Sequence, residues 1–128
     1  MSQPLTLLSN AIALSIAILY TLAGQAHYTD RFTPDLAANV DTMTPNSHRA
    51  FWFLHLTYPQ IQALFGAFDL IAAACLYRPS TRNIGLALAI FGFGGGLYGQ
   101  WYNDAEMGMV GAMTGLAVLG WLTAPRRS

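Results

Sequence analysis

The sequence predicts an all-α integral membrane domain: a four-transmembrane-helix up-down bundle with one long loop between helices 1 and 2. Three observations carry this. The chain of 128 residues is 54% hydrophobic and only 9% charged, whereas a typical soluble domain carries about 25% charged residues. Its apolar residues gather into four segments, each near the ~20 residues that cross about 30 Å of hydrocarbon. Its six basic residues, all arginine, lie in the links and termini between those segments. The length fits one domain, 1–128, with helices at about 5–24, 51–77, 84–102 and 107–123.

The first segment, Leu5 to Gly24, has no basic start and no small-x-small cleavage site. It reads as a retained helix rather than a removed signal peptide. The connection from Gln25 to Arg49 contains Pro34 and Pro45 and polar runs such as Asn46-Ser47-His48. Loops this long are usually functional or disordered. Within it, Phe32, Leu36 and Val40 recur every fourth residue and predict a short helix against the bundle mouth. Phe51-Trp52-Phe53-Leu54-His55-Leu56 is aromatic-rich, as segments at a membrane interface are. Pro59 fits the first turn of the second membrane helix, or a kink in one that starts near Phe51.

The remaining links are short. Arg78-Pro79-Ser80-Thr81-Arg82 carries a helix stop and an N-cap at Ser80 or Thr81. Asn103-Asp104-Ala105-Glu106 makes a tight turn. Short links make sequential helices antiparallel neighbours. Four crossings place Arg78, Arg82, Arg126 and Arg127 on one face and Arg31 and Arg49 on the other, so the positive-inside rule puts both termini in the cytoplasm. Formal net charge is zero, which gives no sign of a nucleic-acid partner. Cys75 is the lone cysteine; an intramolecular disulfide is excluded.

Asp69 is the residue that needs explaining. It lies in the middle of an apolar run, where insertion of an aspartate costs about 2.5–3.5 kcal/mol. On a helix it shares a stripe with Gln62, Gly66 and Ala73, and His55 joins that stripe if the helix continues through Pro59. Leu64, Phe68 and Ile71 lie opposite and suit lipid, so the stripe points inward. In the other helices, one face of the first holds Ser9, Ala13, Ile16, Tyr20 and His27. Gly85, Gly92, Gly96, Gly99 and Asn103 share a face of the third, with Gly94-Gly95-Gly96 in its middle. Gly111 and Gly115 form a GxxxG pair in the fourth, which permits close approach.

Asp69 has two readings: a proton carrier or general acid/base in a dry pocket, or a hydrogen-bonded helix tie with Tyr20, Gln62 or Tyr98 as its partner. The catalytic candidates are Asp69, His55 and Tyr98. The candidates for substrate binding are Gln62, Tyr20, His27, Gln100 and Trp101. His27, His48 and His55 share the face of Asp30, Asp104 and Glu106, but the spacing matches no metal motif such as HExxH, so no metal is expected. An aromatic belt suffices for Trp101 and Tyr102, while Tyr98 and Gln100 lie deeper.

The chain resembles the DoxX-like family of small four-helix membrane proteins. The resemblance rests on Leu22-Ala23-Gly24-Gln25-Ala26-His27-Tyr28 at the end of the first helix, a loop with Pro34, and Gly66-Ala67-Phe68-Asp69-Leu70, similar to a Gly-x-x-Glu-Leu signature with Asp for Glu. The Arg78–Arg82 turn and a small-residue-rich third helix follow. It implies a four-helix membrane fold, with the lipid bilayer and a lipophilic small molecule as partners, acting as a homo-oligomer or beside a partner membrane subunit. In such families a subunit of a membrane oxidoreductase is one role. This chain has no CxxC and no haem motif, so redox work requires a partner or a bound quinone; otherwise no cofactor is implied. The alternative is a cofactor-independent isomerase or cyclase acting on a lipophilic terpenoid or other secondary metabolite, with Asp69 as acid/base. Phe65, Phe91 and Trp101 then shield developing positive charge.

Overall fold

A computed structural model of the chain describes residues 3–125; Arg126 and Arg127 lie outside the described residues. Those described form five α-helices: α1 (Gln3–Ala26), α2 (Pro34–Ala50), α3 (Tyr58–Tyr77), α4 (Arg82–Tyr102) and α5 (Gly108–Leu122). Helices α1 and α3 are long and apolar enough to cross a membrane. At 15 residues, α5 reaches only about 22 Å.

The predicted loop between the first two apolar helices is mostly helix. Pro34 occupies the first turn of α2, where its missing N–H costs nothing, and the helix runs on through Pro45. An interior proline removes one backbone hydrogen bond and usually breaks a helix; here Ala37, Thr44 and Ala50 are buried and hold both halves against the bundle. The expected helix 51–77 is correspondingly shorter. Residues Trp52–Leu54 form a 3-10 turn, His55 takes a left-handed conformation with φ of 56°, and α3 begins at Tyr58. Thr57 caps it: its hydroxyl accepts from Gln60 N, while Gln60 Oε1 accepts from Thr57 N at 2.9 Å. Pro59 therefore starts this helix and does not kink it.

Helix α1 packs on α3, α3 on α4, α4 on α5, and α5 back on α1. Helix α2 lies across one end, touching α1, α3 and α4. The predicted inward faces of α1 and α3 are largely those observed: Ser9, Ala13, Ile16, Tyr20, Gly66 and Ala73 are all buried. Phe68, expected to face lipid, instead packs edge-on against Tyr20. Large apolar side chains do point outward on α1, α3, α4 and α5, among them Ile18, Ile71, Ile84, Phe91 and Leu122.

Packing is uneven along the bundle. In α4 the buried residues are Gly85, Leu86 and Ala89, all in its first half; in α5 they are Ala117 and Gly120, both in its second half. These two halves meet the N-terminal part of α1 and the C-terminal part of α3 in one dense core. Ser9 Oγ donates to Gly120 O at 2.7 Å there, and a Cβ on Gly120 would stand 2.8 Å from Ile12. The predicted GxxxG pair is not the contact: nothing lies within 4 Å of a Cβ on Gly115, and Gly111 has only Leu97 at 4.0 Å. The tight α5 crossing is at Gly120, because α5 meets α1 at its C-terminal end.

The α3–α4 link also differs in detail. Thr81 does not cap α4; its hydroxyl donates to Cys75 O at 2.9 Å. Arg82 closes the end of α3, donating to Leu76 O at 2.8 Å and Tyr77 O at 3.2 Å, and reaches Asn10 of α1 at 3.1 Å. A cation over the last carbonyls of a helix meets its negative end.

Candidate active site

Asp69 is the one Asp, Glu, Lys or Arg in α1, α3 and α5, and α4 adds only Arg82 at its first position. Its partner is His27, one residue past the end of α1, with Nε2 3.6 Å from Asp69 Oδ2. Both side chains are mostly buried, 13% and 15% exposed. A separation of 3.6 Å is within ion-pair reach and beyond hydrogen-bond length. Proton exchange between the two needs a closer approach or one bridging water. His27 Nδ1 is buried without a hydrogen-bond partner among the described residues.

Local sequence makes this meeting possible. A Cβ on Gly24 would lie 2.8 Å from Leu70 and 3.2 Å from Asp69 Cβ. A Cβ on Gly66 would lie 2.6 Å from the Tyr28 ring and 2.9 Å from His27 Cβ. With glycine at both positions α1 comes onto α3 at this level, and the His27–Tyr28 corner fits. The Tyr28 hydroxyl then donates to Ala63 O at 2.6 Å. Because α1 turns off beside Gly66, it stops about 12 Å short of the start of α3. Helix α2 covers the gap incompletely. A cleft of about 380 Å³ remains, lined by Ala26, His27, Tyr28, Thr29, Asp30, Ala37, Asp41 and Gln62.

The residues expected to pair with Asp69 are engaged elsewhere. Tyr20 donates to Ala89 O at 3.4 Å and stacks on Phe93. Gln62 donates to Asp41 Oδ1 at 2.6 Å, which ties α3 to α2 at the cleft. Tyr98 donates to Ala50 O at 2.8 Å within an aromatic group that includes Phe51, Phe53, Trp101 and Tyr102. Gln100 donates to Glu106 O at 2.8 Å and closes the α4–α5 turn. Trp101 is exposed. His55 is off the Asp69 stripe, since the helix starts three residues after it; it lines a separate cleft with His48 and Arg49. Of the substrate-binding candidates, the structure brings His27 and Gln62 to the cleft beside Asp69.

Helical spacing puts His27 on the inward face of the first helix, but nothing in the sequence pairs it with Asp69. The usable signal was Gly24 in one helix and Gly66 in the other, each three residues from a member of the pair.

The chain is 29% identical over 105 residues to the cyclic ether formation enzyme xenC of Xenoacremonium sinensis, and the alignment covers 80% of each chain. No solved structure matches the chain. No protein-family model matches it either, so the DoxX-like resemblance stands on the residues quoted for it.

Proposed function

We propose that this protein is a membrane-embedded enzyme that closes a cyclic ether, or a related ring, in a lipophilic secondary metabolite. The observation that carries the reading is the His27–Asp69 pair, of which His27 lines an open cleft, within helices otherwise almost free of charge. Its similarity to a cyclic ether formation enzyme supports the same chemistry. The volume of about 380 Å³ falls in the range of small-molecule sites.

The step requires a base and an acid. A hydroxyl of the substrate attacks an electrophilic carbon of the same molecule, and a carbon–oxygen bond forms. The Asp69 carboxylate takes the hydroxyl proton. The His27 imidazolium gives a proton to the atom that gains electrons, the oxygen of an opening epoxide or the far carbon of a polarised double bond. Transfer of one proton from Asp69 to His27 restores the pair. The net change is an isomerisation, balanced without a co-reactant, and positioned acid/base groups of this kind contribute about 10²–10⁴-fold in rate.

The outward apolar side chains of α1, α3, α4 and α5 support burial in a bilayer. In this reading four helices cross it, and α2 lies at the interface. The arginines of the dense end then face the cytoplasm, and a lipophilic substrate reaches the pair from the membrane.

The test is deletion of the gene in a producing organism, with metabolites compared by mass spectrometry. The expected result is loss of a cyclised product and accumulation of an isomer of the same mass. A precursor of different elemental composition overturns the isomerising step.

A further inference from the structure

A second cleft, of about 480 Å³, opens where α2 runs into the 3-10 turn, and its walls are His48, Arg49, Trp52, His55, Leu56 and Tyr102. Arg49 is held in place by neutral groups. Its Nε donates to Asn103 Oδ1 at 3.3 Å and one Nη donates to Asn46 Oδ1. Asn103 is itself fixed by donating to Asn46 O at 3.0 Å and Gly99 O at 2.9 Å. A guanidinium has five N–H groups, so three are left without an acceptor among the described residues. Among the described residues, no carboxylate pairs with it.

The surroundings select further. His48 packs against the Tyr58 ring, with centroids 4.4 Å apart. His55 is presented by its left-handed backbone at the exposed end of the turn. Two imidazoles and a forked cation thus share one rim, while Trp52, Leu56 and Tyr102 make the rest of the wall apolar. An oriented guanidinium with free donors matches the bidentate geometry of carboxylate and phosphate.

We propose that this cleft binds the net-anionic head of an amphiphile, a phosphate or carboxylate carried on an apolar chain with no cation on the same head to offset it. The proposal stands apart from the ring closure at His27 and Asp69. Such a head has two sources: a phospholipid of the surrounding bilayer, or a free lipophilic acid.

The test is native mass spectrometry of the purified full chain in detergent, with phosphatidylglycerol, phosphatidylcholine, dodecyl phosphate and laurate as probes. Retention of phosphatidylglycerol and dodecyl phosphate should exceed that of phosphatidylcholine by about fivefold, the effect of one surface cation. Arg49→Gln should abolish the preference, and Arg49→Lys should keep part of it. Retention of phosphatidylglycerol without laurate assigns the site to lipid phosphate; retention of both assigns it to oxyanionic amphiphiles in general. Equal retention of phosphatidylcholine overturns the proposal, as does an unchanged preference in Arg49→Gln. If Arg49→Gln does not fold, the His48→Gln/His55→Gln double variant takes its place. It should at least halve the preference, and no change there overturns the proposal too.

Discussion

His27 Nε2 stands 3.6 Å from Asp69 Oδ2, and two glycines hold the helices close enough for that. The pair resolves the energetic problem Asp69 poses. A buried carboxylate with a basic partner is far less costly than one alone. The same pairing sets a carboxylate and an imidazole 3.6 Å apart, one bridging water from proton exchange.

If those two groups carry the chemistry, Asp69→Asn and His27→Gln should each lower turnover by about 10²–10⁴-fold. Asp69→Asn keeps the shape and can still accept a hydrogen bond, so the purified variant should elute and melt like the parent. Cyclised product measured by mass spectrometry in an expressing host is the readout. Full activity in Asp69→Asn would end the acid/base assignment and leave Asp69 as a helix tie.

Gly66→Ala tests the geometry rather than the chemistry. Its new methyl would sit 2.6 Å from the Tyr28 ring and 2.9 Å from His27 Cβ, so the corner after α1 must shift. The expected cost is about 1–3 kcal/mol, with turnover falling as the pair separates. Gly115→Ala is the control. Nothing lies within 4 Å of its Cβ, and alanine in a helix is favoured over glycine by about 0.5–1 kcal/mol. Thermal denaturation in detergent should separate the two variants in opposite directions.

These glycines also show how far the sequence could be read. Asp69, Gly66 and Ala73 fall on one stripe because helical spacing alone puts them there, and the apolar runs identify four of the five helices. The His27–Asp69 contact depends on where α1 ends against α3, a tertiary fact with no periodic signal. Helix α2 is legible only in part: the spacing of Phe32, Leu36 and Val40 predicts a short helix there, while its full length through a polar stretch and Pro45 depends on burying Ala37, Thr44 and Ala50 against the bundle. The Gly111–Gly115 pair looked like a packing motif, yet spacing cannot say which end of α5 approaches α1.

Arg82 should matter for stability at the dense end. It donates to Leu76 O, Tyr77 O and Asn10 Oδ1, and hydrogen bonds from a charged group contribute about 1.5–3 kcal/mol each when buried. Arg82 is only partly buried, so Arg82→Ala should cost about 2 kcal/mol in total. Arg82→Lys should recover less than half of that, since a single ammonium cannot reach all three acceptors. Equal melting of Arg82→Lys and the parent would show that charge alone matters here.

Tyr98 tests the catalytic grouping with Asp69 and His55 that the sequence suggests. Its hydroxyl donates to Ala50 O at 2.8 Å, and its ring lies 5.5 Å from Phe51 and 6.1 Å from Tyr102. That is the position of a group fixing the end of α2 to α4. Tyr98→Phe removes one hydrogen bond and keeps the ring, so it should cost about 1 kcal/mol of stability. Turnover should stay within about twofold, equivalent to less than half a kcal/mol at the transition state. A hundredfold loss without a change in melting temperature would instead mean that the hydroxyl moves a proton during the reaction. The reacting atoms would then lie among the aromatic rings below α2, and the pair at His27 and Asp69 would be left with a structural role.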